Sequence, residues 1–124
     1  MISSMRFSRG EPPHFVEAEL LFCGDDIVIT VGGGDRYHTG AVAIAYQYPS
    51  IKNPSRMTTT TSIITIPGHK EDEIARSAAL ILSQKKNRTV TIAVGLHIDH
   101  ASPKDIDQLV INFNLLIKDI LDSI

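Results

Sequence analysis

The chain has 124 residues, of which 43 % are hydrophobic and 21 % charged, so it can bury one core and is not disordered. Twelve lysines and arginines against fourteen acidic residues give a formal charge of -2, without the basic excess typical of proteins that bind nucleic acid or membrane surfaces. With a single cysteine, no secretory segment and no apolar run of the roughly 20 residues that span a bilayer, we expect a cytoplasmic protein without an intramolecular disulfide.

Residues 1–13 are polar and end in Pro12-Pro13, and we expect them to form a flexible N-terminal arm before a single domain over residues 14–124. Four strands are predicted next, at residues 16–22, 27–31, 41–46 and 58–66. The small side chains of the third strand, which is rich in alanine, indicate that another element packs closely on the sheet there.

Apolar residues at helical spacing predict a helix from about Lys70 to Lys86, with acidic residues in its first turn and lysines in its last. Residues 89–98 alternate as a fifth strand, and Ser102 and Pro103 mark the N-cap and first position of a second helix. The sequence therefore predicts an α+β fold in the order β-β-β-β-α-β-α, with a mostly antiparallel sheet of about five strands and two helices packed on one face.

A second apolar spot, Ile111 and Leu115, lies on nearly the opposite side of the last helix from its core stripe. Such a spot on a terminal helix indicates self-association, so we expect a homo-oligomer.

If consecutive strands are antiparallel neighbours, the second, fourth and fifth predicted strands run in the same direction. The loops that follow them, residues 32–40, 67–70 and 97–102, then leave from one edge of the sheet, where both helices also begin. Four of the five histidines lie in these loops: His38, His69, His97 and His100. Ligand sites commonly form at the carboxyl ends of parallel strands, so we expect a ligand site at this edge.

Gly32-Gly33-Gly34-Asp35 opens the first of these loops. Its backbone N–H groups suit an anion, although a wide hairpin loop would need the same glycines only for positive φ. The segment is neither a Walker motif nor a dinucleotide fingerprint, because no Gly-Lys-Ser/Thr follows and the next element is a strand. Arg36, beside Tyr37 and His38, adds a fork of donors and an aromatic face, which suit a phosphate and a planar ring.

The other two loops each allow a functional and a structural interpretation. Gly68-His69-Lys70 places a cation and a titratable ring at a helix N-terminus, which suits an anion or a flavin phosphate, but the acidic residues that follow also fit plain capping. His97 and Asp99 are metal-ligand types, yet no HExxH pattern accompanies them. The commoner arrangement is a hydrogen bond by which Asp99 orients His97.

Residues 32–43, 67–73 and 95–102 together resemble the LpdD-like family of small accessory proteins of gallate-type, UbiD-related decarboxylases. The similarity covers most of the chain from about Phe15. The resemblance implies a non-catalytic protein that binds prenylated flavin mononucleotide (or flavin mononucleotide) and acts as its chaperone or carrier for a UbiD-type decarboxylase. The candidate cofactor contacts are Gly33, Gly34, Asp35, Arg36, Tyr37, His38, His69, Lys70, His97 and Asp99.

Within this hypothesis, Arg36 and Lys70 would hold the phosphate. The side chains that would face the ring system are Tyr37, His38 and His97. No catalytic residue and no metal ligand is assigned. Two alternatives stay open: a structural subunit that contacts the decarboxylase without a ligand, and a small acid–base or metal-dependent enzyme that uses His69, His97 and Asp99.

Overall fold

The chain folds as a six-stranded sheet with two helices, in a computed structural model that describes residues 1–68 and 70–124. Its strands are β1 (Ile2–Arg9), β2 (Val16–Cys23), β3 (Asp26–Gly34), β4 (Ala41–Pro49), β5 (Met57–Thr65) and β6 (Val90–His97). The helices are α1 (Asp72–Lys86) and α2 (Pro103–Ser123). The α+β class is as predicted, but the sheet has six strands and not five.

The additional strand comes from residues that were expected to form a flexible arm. β1 pairs antiparallel with β2 along its whole length, from Ile2 opposite Cys23 to Arg9 opposite Val16. Phe7 packs against the core, and the Arg9 guanidinium donates two hydrogen bonds, of 2.6 and 2.9 Å, to the Asp119 carboxylate of α2. The arm prediction was therefore wrong for these residues.

The strand order across the sheet is β1-β2-β3-β6-β4-β5, and all pairs are antiparallel except β3 and β6. β6 lies between β3 and β4, so the prediction that β3 and β4 are neighbours in the sheet was wrong. The predicted directions are nevertheless confirmed, because β3, β5 and β6 all run the same way. The loops that follow them leave from one edge of the sheet, as expected.

The core lies between one face of the sheet and the two helices. α1 packs mainly on β4, and α2 packs on β1 and β2. Small side chains line the contact between α1 and β4, and all of them are buried: Ala41, Ala43 and Ala45 on the strand, and Ala75, Ala78 and Ala79 on the helix. Their small size lets the helix approach the sheet closely, which confirms the interpretation of the alanine-rich strand.

The start of α2 is as predicted. The Ser102 hydroxyl accepts a hydrogen bond from the backbone N–H of Asp105 at 3.1 Å, and the Asp105 carboxylate accepts one from the Ser102 N–H at 3.0 Å. This capping box satisfies two N–H groups at the helix end, and Pro103 occupies the first helical position. Neither of the two described helices is long and apolar enough to cross a membrane.

Candidate functional site

Four loops meet at the edge of the sheet where β1, β3, β5 and β6 end. They are residues 10–15, 35–40, 66–68 with 70–71, and 98–102, and we call the place where they meet the histidine edge. The first of them was not expected here, because β1 was not recognised in the sequence. It brings His14 to the same edge, where its Nε2 lies 2.8 Å from the Asp105 carboxylate.

The glycine triplet 32–34 belongs to the end of β3 and not to a loop. The N–H of Gly34 donates to the Phe15 carbonyl at 3.0 Å, and the N–H of Asp35 donates to the His97 carbonyl at 2.6 Å. These N–H groups are already engaged, so the predicted anion-binding segment is not formed. The alternative of a wide hairpin loop is also wrong, because β6 separates β3 from β4.

Two glycines instead allow the loop 35–40 to cross closely over the end of β6. Gly34 has a φ of +78°, and a Cβ there would overlap the His97 carbonyl. A Cβ on Gly95 would overlap the His38 carbonyl. This close crossing brings the rings of His38 and His97 together, with 6.2 Å between their centroids and an interplanar angle of 85°.

A buried carboxylate holds one of these rings. Glu71, only 8 % exposed, accepts hydrogen bonds at its Oε1 from the Nε2 of His38 at 3.0 Å and from the N–H of Leu96 at 3.3 Å. Gly40 makes room for this carboxylate, since a Cβ there would overlap it. Glu71 therefore links α1, β6 and the loop 35–40.

Sequence reasoning missed Glu71 as a site residue. It was grouped with Asp72 and Glu73 as a complement to the helix dipole, and those two residues are indeed exposed in the first turn of α1. Glu71 makes no side-chain capping bond, because its carboxylate points into the site. The sequence carries no signal that separates it from its two acidic neighbours.

His97 is held by a second carboxylate. Its Nε2 lies 2.8 Å from Asp99 Oδ1, which confirms the predicted hydrogen bond. The N–H of Asp99 donates to the Asp35 carboxylate at 3.1 Å, and Arg36 Nη2 lies 3.9 Å from Asp99 Oδ1. The hydrogen bond from His97, helped by the charge of Arg36, holds the pKa of Asp99 below its usual range.

Within residues 1–68 and 70–124, no group of three or more histidine, cysteine or acidic side chains is arranged to hold a metal ion. His69, which the enzyme alternative needs, lies outside the described residues. His100 is described, is exposed and has a φ of 55° in the turn after β6.

Tyr37 lies on the face of the sheet that the helices leave uncovered, which we call the outer face. Its ring covers Gly32, where a Cβ would lie 2.6 Å from the nearest ring atom, and its hydroxyl donates to Glu17 at 2.7 Å. Partial burial and this hydrogen bond raise the pKa of Tyr37 to about 12. Together with His38, Tyr37 lines a cavity of about 150 Å³ on this face.

A larger cavity, of about 330 Å³, opens on the helix side of the same edge. It is lined by Gly68, Lys70, Glu71, Ile74, Leu96, His97, Ile98, Ala101, Ile106, Leu109 and Val110. Most of these side chains are aliphatic, and the polar ones come from the loop before α1 and from the end of β6. Its volume is at the lower end of the range of about 300–1,000 Å³ for small-molecule pockets.

The predicted residues therefore fall into three groups. Around the histidine edge lie Gly34, Asp35, Arg36, His38, Lys70, His97 and Asp99. Gly33 is buried inside β3, and Tyr37 lies on the outer face, away from the larger cavity. His69 is outside the described residues.

Residues 10–124 match the prenylated flavin chaperone LpdD-like domain. The chain belongs to this family. The match begins in the loop after β1 and continues to the last residue, so it includes every loop of the histidine edge. No curated protein matches the chain significantly.

The fold of this LpdD-like chain is also similar to a solved structure of a chaperone complex for assembly of the yeast 20S proteasome. The TM-score is 0.60 and the sequence identity is 20 %, over 98 % of this chain and 94 % of that chain. At this identity, the similarity supports the fold alone.

Proposed function

We propose that this LpdD-like chain binds prenylated flavin mononucleotide at the histidine edge and carries it, as a cytoplasmic protein without catalytic activity, to a UbiD-type decarboxylase. Membership of the flavin chaperone family supports the class of ligand. The observation that carries the proposal is the aliphatic cavity lined by Lys70 and His97, beside the loop that contains Arg36.

The residues of this edge fit the chemistry of the cofactor. A prenylated flavin has a large ring system with apolar faces, and the aliphatic side chains of the cavity, among them Ile74, Leu96 and Leu109, offer these faces a water-poor surface. Its phosphate needs cationic donors, which Lys70 at the cavity and Arg36 in the adjacent loop supply. Bound here, the flavin is cargo, and burial of its ring would protect it from solvent.

The histidines and their carboxylates provide the polar contacts in this proposal. His97 lines the cavity and is oriented by Asp99, so it is placed to contact a polar edge of the ring. His38 is held by Glu71, which also lines the cavity. Tyr37 is left out of the proposed ring contacts because its hydroxyl is bonded to Glu17 on the outer face.

A spectral titration of the purified chain with oxidised prenylated flavin mononucleotide tests the proposal. We expect saturable binding at micromolar protein, and at least about tenfold weaker binding by Lys70→Ala and by His97→Ala, since each loses a charged or oriented contact. Lys104→Ala, an exposed lysine of α2 outside the cavity, is the matched control and should bind as the wild type does. No binding by the wild type, or equal weakening by all three variants, would refute the assignment.

The carrier role needs a separate measurement. We expect the loaded chain to activate a UbiD-type apo-decarboxylase faster than the same concentration of free cofactor does, and Lys70→Ala to lose this advantage. If the loaded chain binds the cofactor but does not transfer it, the binding site stands and the carrier role fails.

A further inference from the structure

The edge strand β5 has a row of backbone groups that point away from the sheet. β5 lies at the end of the strand order, beside β4 only, and the Ile66 N–H donates to the Gly40 carbonyl at 2.8 Å. Because antiparallel pairing alternates, this bond shows that the even-numbered residues of β5 bond to β4. The N–H and C=O groups of the odd-numbered residues therefore point outward, and no other described element bonds to them.

β5 lacks the features by which natural edge strands avoid pairing with other chains. Such strands are usually short, carry charged side chains or proline, or contain a bulge. β5 has nine residues without charge or proline, and its register with β4 runs without a bulge. Five threonines and two isoleucines favour its extended conformation. The other edge strand, β1, differs because it carries Arg6 and Arg9. β5 is therefore the edge that can accept a further strand.

The loop before β5 carries two cations. Lys52 and Arg56 are exposed, and neither takes part in an ion pair among the described residues. The whole segment 36–70 contains no aspartate or glutamate. The backbone of Arg56 fixes the loop, since its N–H donates to the Asn53 carbonyl at 2.9 Å and its carbonyl accepts from the Ser50 N–H at 2.8 Å. The loop therefore offers both cations to an acidic partner.

We propose that an extended, acidic segment of another protein adds to the sheet as a strand beside β5, with its carboxylates at Lys52 and Arg56. Antiparallel pairing is the commoner and more stable arrangement, so the segment runs antiparallel to β5. Main-chain hydrogen bonds would supply affinity, and the two charge contacts would supply specificity. The proposal goes beyond the flavin-binding function and does not depend on it, because no residue of β5 lines the cavity of about 330 Å³.

A second copy of the chain fits this edge less well. Two copies paired antiparallel about Thr61 would place Ile66 of one copy opposite Arg56 of the other. The segment 36–70 of the second copy would offer no carboxylate to either cation. The next acidic residues, 71–73, belong to the start of α1 and not to the strand that would face the loop. Charge complementarity therefore favours a different, acidic chain.

Fluorescence anisotropy with a synthetic peptide tests the proposal. The probe is a labelled peptide of about 12 residues that alternates threonine and valine and ends in three glutamates. We expect saturable binding to the full chain with a Kd below about 100 µM. A peptide that ends in three lysines, or one with methylated central amide nitrogens, should bind at least about tenfold more weakly. Failure of the acidic peptide to bind would overturn the proposal.

A proline in β5 tests the pairing itself. Thr59→Pro removes an outward N–H without removing a bond to β4, a position at which edge strands tolerate proline. We expect at least about tenfold weaker peptide binding, because a donor is lost and the proline ring hinders the approach of a strand.

Ser4→Pro, in the other edge strand, is the matched control and should keep the wild-type Kd. Its N–H also points away from the sheet, because the bond between Gly34 and Phe15 sets the alternation in β2 and hence in β1. Circular dichroism checks that both variants are folded. Unchanged peptide binding by folded Thr59→Pro would show that the peptide does not pair with β5.

A charge exchange tests the acidic character of the partner. Arg56→Glu keeps the backbone bonds of the loop, and we expect it to weaken binding of the acidic peptide at least about tenfold. The peptide that ends in lysines should bind this variant better than it binds the wild type. Lys104→Glu, at an exposed position of α2, is the matched control. If Arg56→Glu binds both peptides as the wild type does, the proposed charge contacts are wrong.

Amide hydrogen exchange identifies the occupied edge directly. In the chain alone, the outward amides of Thr59, Thr61 and Ile63 should exchange rapidly, whereas those of Thr60 and Ser62 are protected by β4. The acidic peptide should slow the three outward amides at least about tenfold. If these amides are already protected in the chain alone, and more so at higher protein concentration, a second copy occupies the edge and the proposal is wrong.

Discussion

Glycines at the end of the sheet determine how closely the loop 35–40 crosses β6. We expect Gly95→Ala to lower the free energy of unfolding by about 3 kcal/mol, because its Cβ would meet the His38 backbone, which cannot rotate away. Urea unfolding followed by circular dichroism measures the loss. Gly32→Ala is the matched control, since its Cβ would meet only the exposed ring of Tyr37, and it should cost less than about 1 kcal/mol. Equal losses in the two variants would mean that the close crossing of the loop 35–40 is not the reason why position 95 needs a glycine.

Glu71 offers a second test at single residues. Glu71→Gln removes the charge that His38 contacts while keeping the size of the side chain. We expect a loss of about 1–2 kcal/mol in unfolding free energy, because Glu71 is buried and its hydrogen bond to a histidine is charge-assisted. We also expect weaker flavin binding in the spectral titration. Glu73→Gln, two residues later in the exposed first turn of α1, should change neither quantity.

At the level of single residues, the candidate site could be predicted only in part from the sequence. The hydrogen bond between His97 and Asp99 was predicted from two residues that are close in sequence, although β6 ends at His97 and Asp99 lies in the turn that follows. The use of the glycine N–H groups could not be predicted, because it depends on Phe15 and His97, which lie far away in sequence. Glu71 was missed for the same reason, since its partner His38 is 33 residues away.

At the scale of elements, Asp105 couples the start of α2 to the loop between β1 and β2. Its carboxylate accepts from the Ser102 N–H and lies 2.8 Å from His14 Nε2, and these contacts, that of His14 first, hold the pKa of Asp105 below its usual range. The loop is further tied to α2 by Asn112, whose side-chain amide donates to the His14 carbonyl at 2.8 Å.

This depressed pKa predicts a pH dependence of stability. The contribution of Asp105 is complete above the ordinary aspartate pKa of about 3.9 and is lost as the pH falls through the lower value of the folded state. We expect Asp105→Asn to be less stable than the wild type at pH 7, and the difference to shrink below about pH 4. Thermal melts from pH 3 to 7 measure this. Asp107→Asn, at an exposed position two residues later in α2, is the matched control.

Helices and most strands could be predicted because their signals are local. Ser102 and Pro103 give the start of α2 correctly, and the five predicted strands match β2–β6 to within three residues at either end. β1 was missed because it is an edge strand rich in serine, with little alternation between apolar and polar residues. The position of β6 between β3 and β4 has no local signal, because the pairing of strands depends on the whole sheet.

At the scale of the whole molecule, β1 completes the sheet, although the match to the family begins only at residue 10. We expect deletion of residues 1–9 to lower the free energy of unfolding by about 2–4 kcal/mol, because Phe7 leaves the core and the ladder to β2 is lost. Urea unfolding measures the change. Arg6→Ala, which removes only exposed ion pairs of this strand, should leave the free energy of unfolding nearly unchanged. If the shortened chain has an unchanged free energy of unfolding, β1 does not stabilise the fold.

The central place of β6 has a consequence for synthesis on the ribosome. Five strands are translated before it, but β1-β2-β3 and β4-β5 cannot join until β6 enters between them. A nascent chain that has not yet reached residue 90 therefore exposes the unpaired inner edges of β3 and β4, whose alternate side chains are buried in the folded protein. The gap between β3 and β4 is filled only after β6 has been synthesised, in the final third of translation. Stalling before residue 90 should therefore favour co-translational misassembly between neighbouring nascent chains.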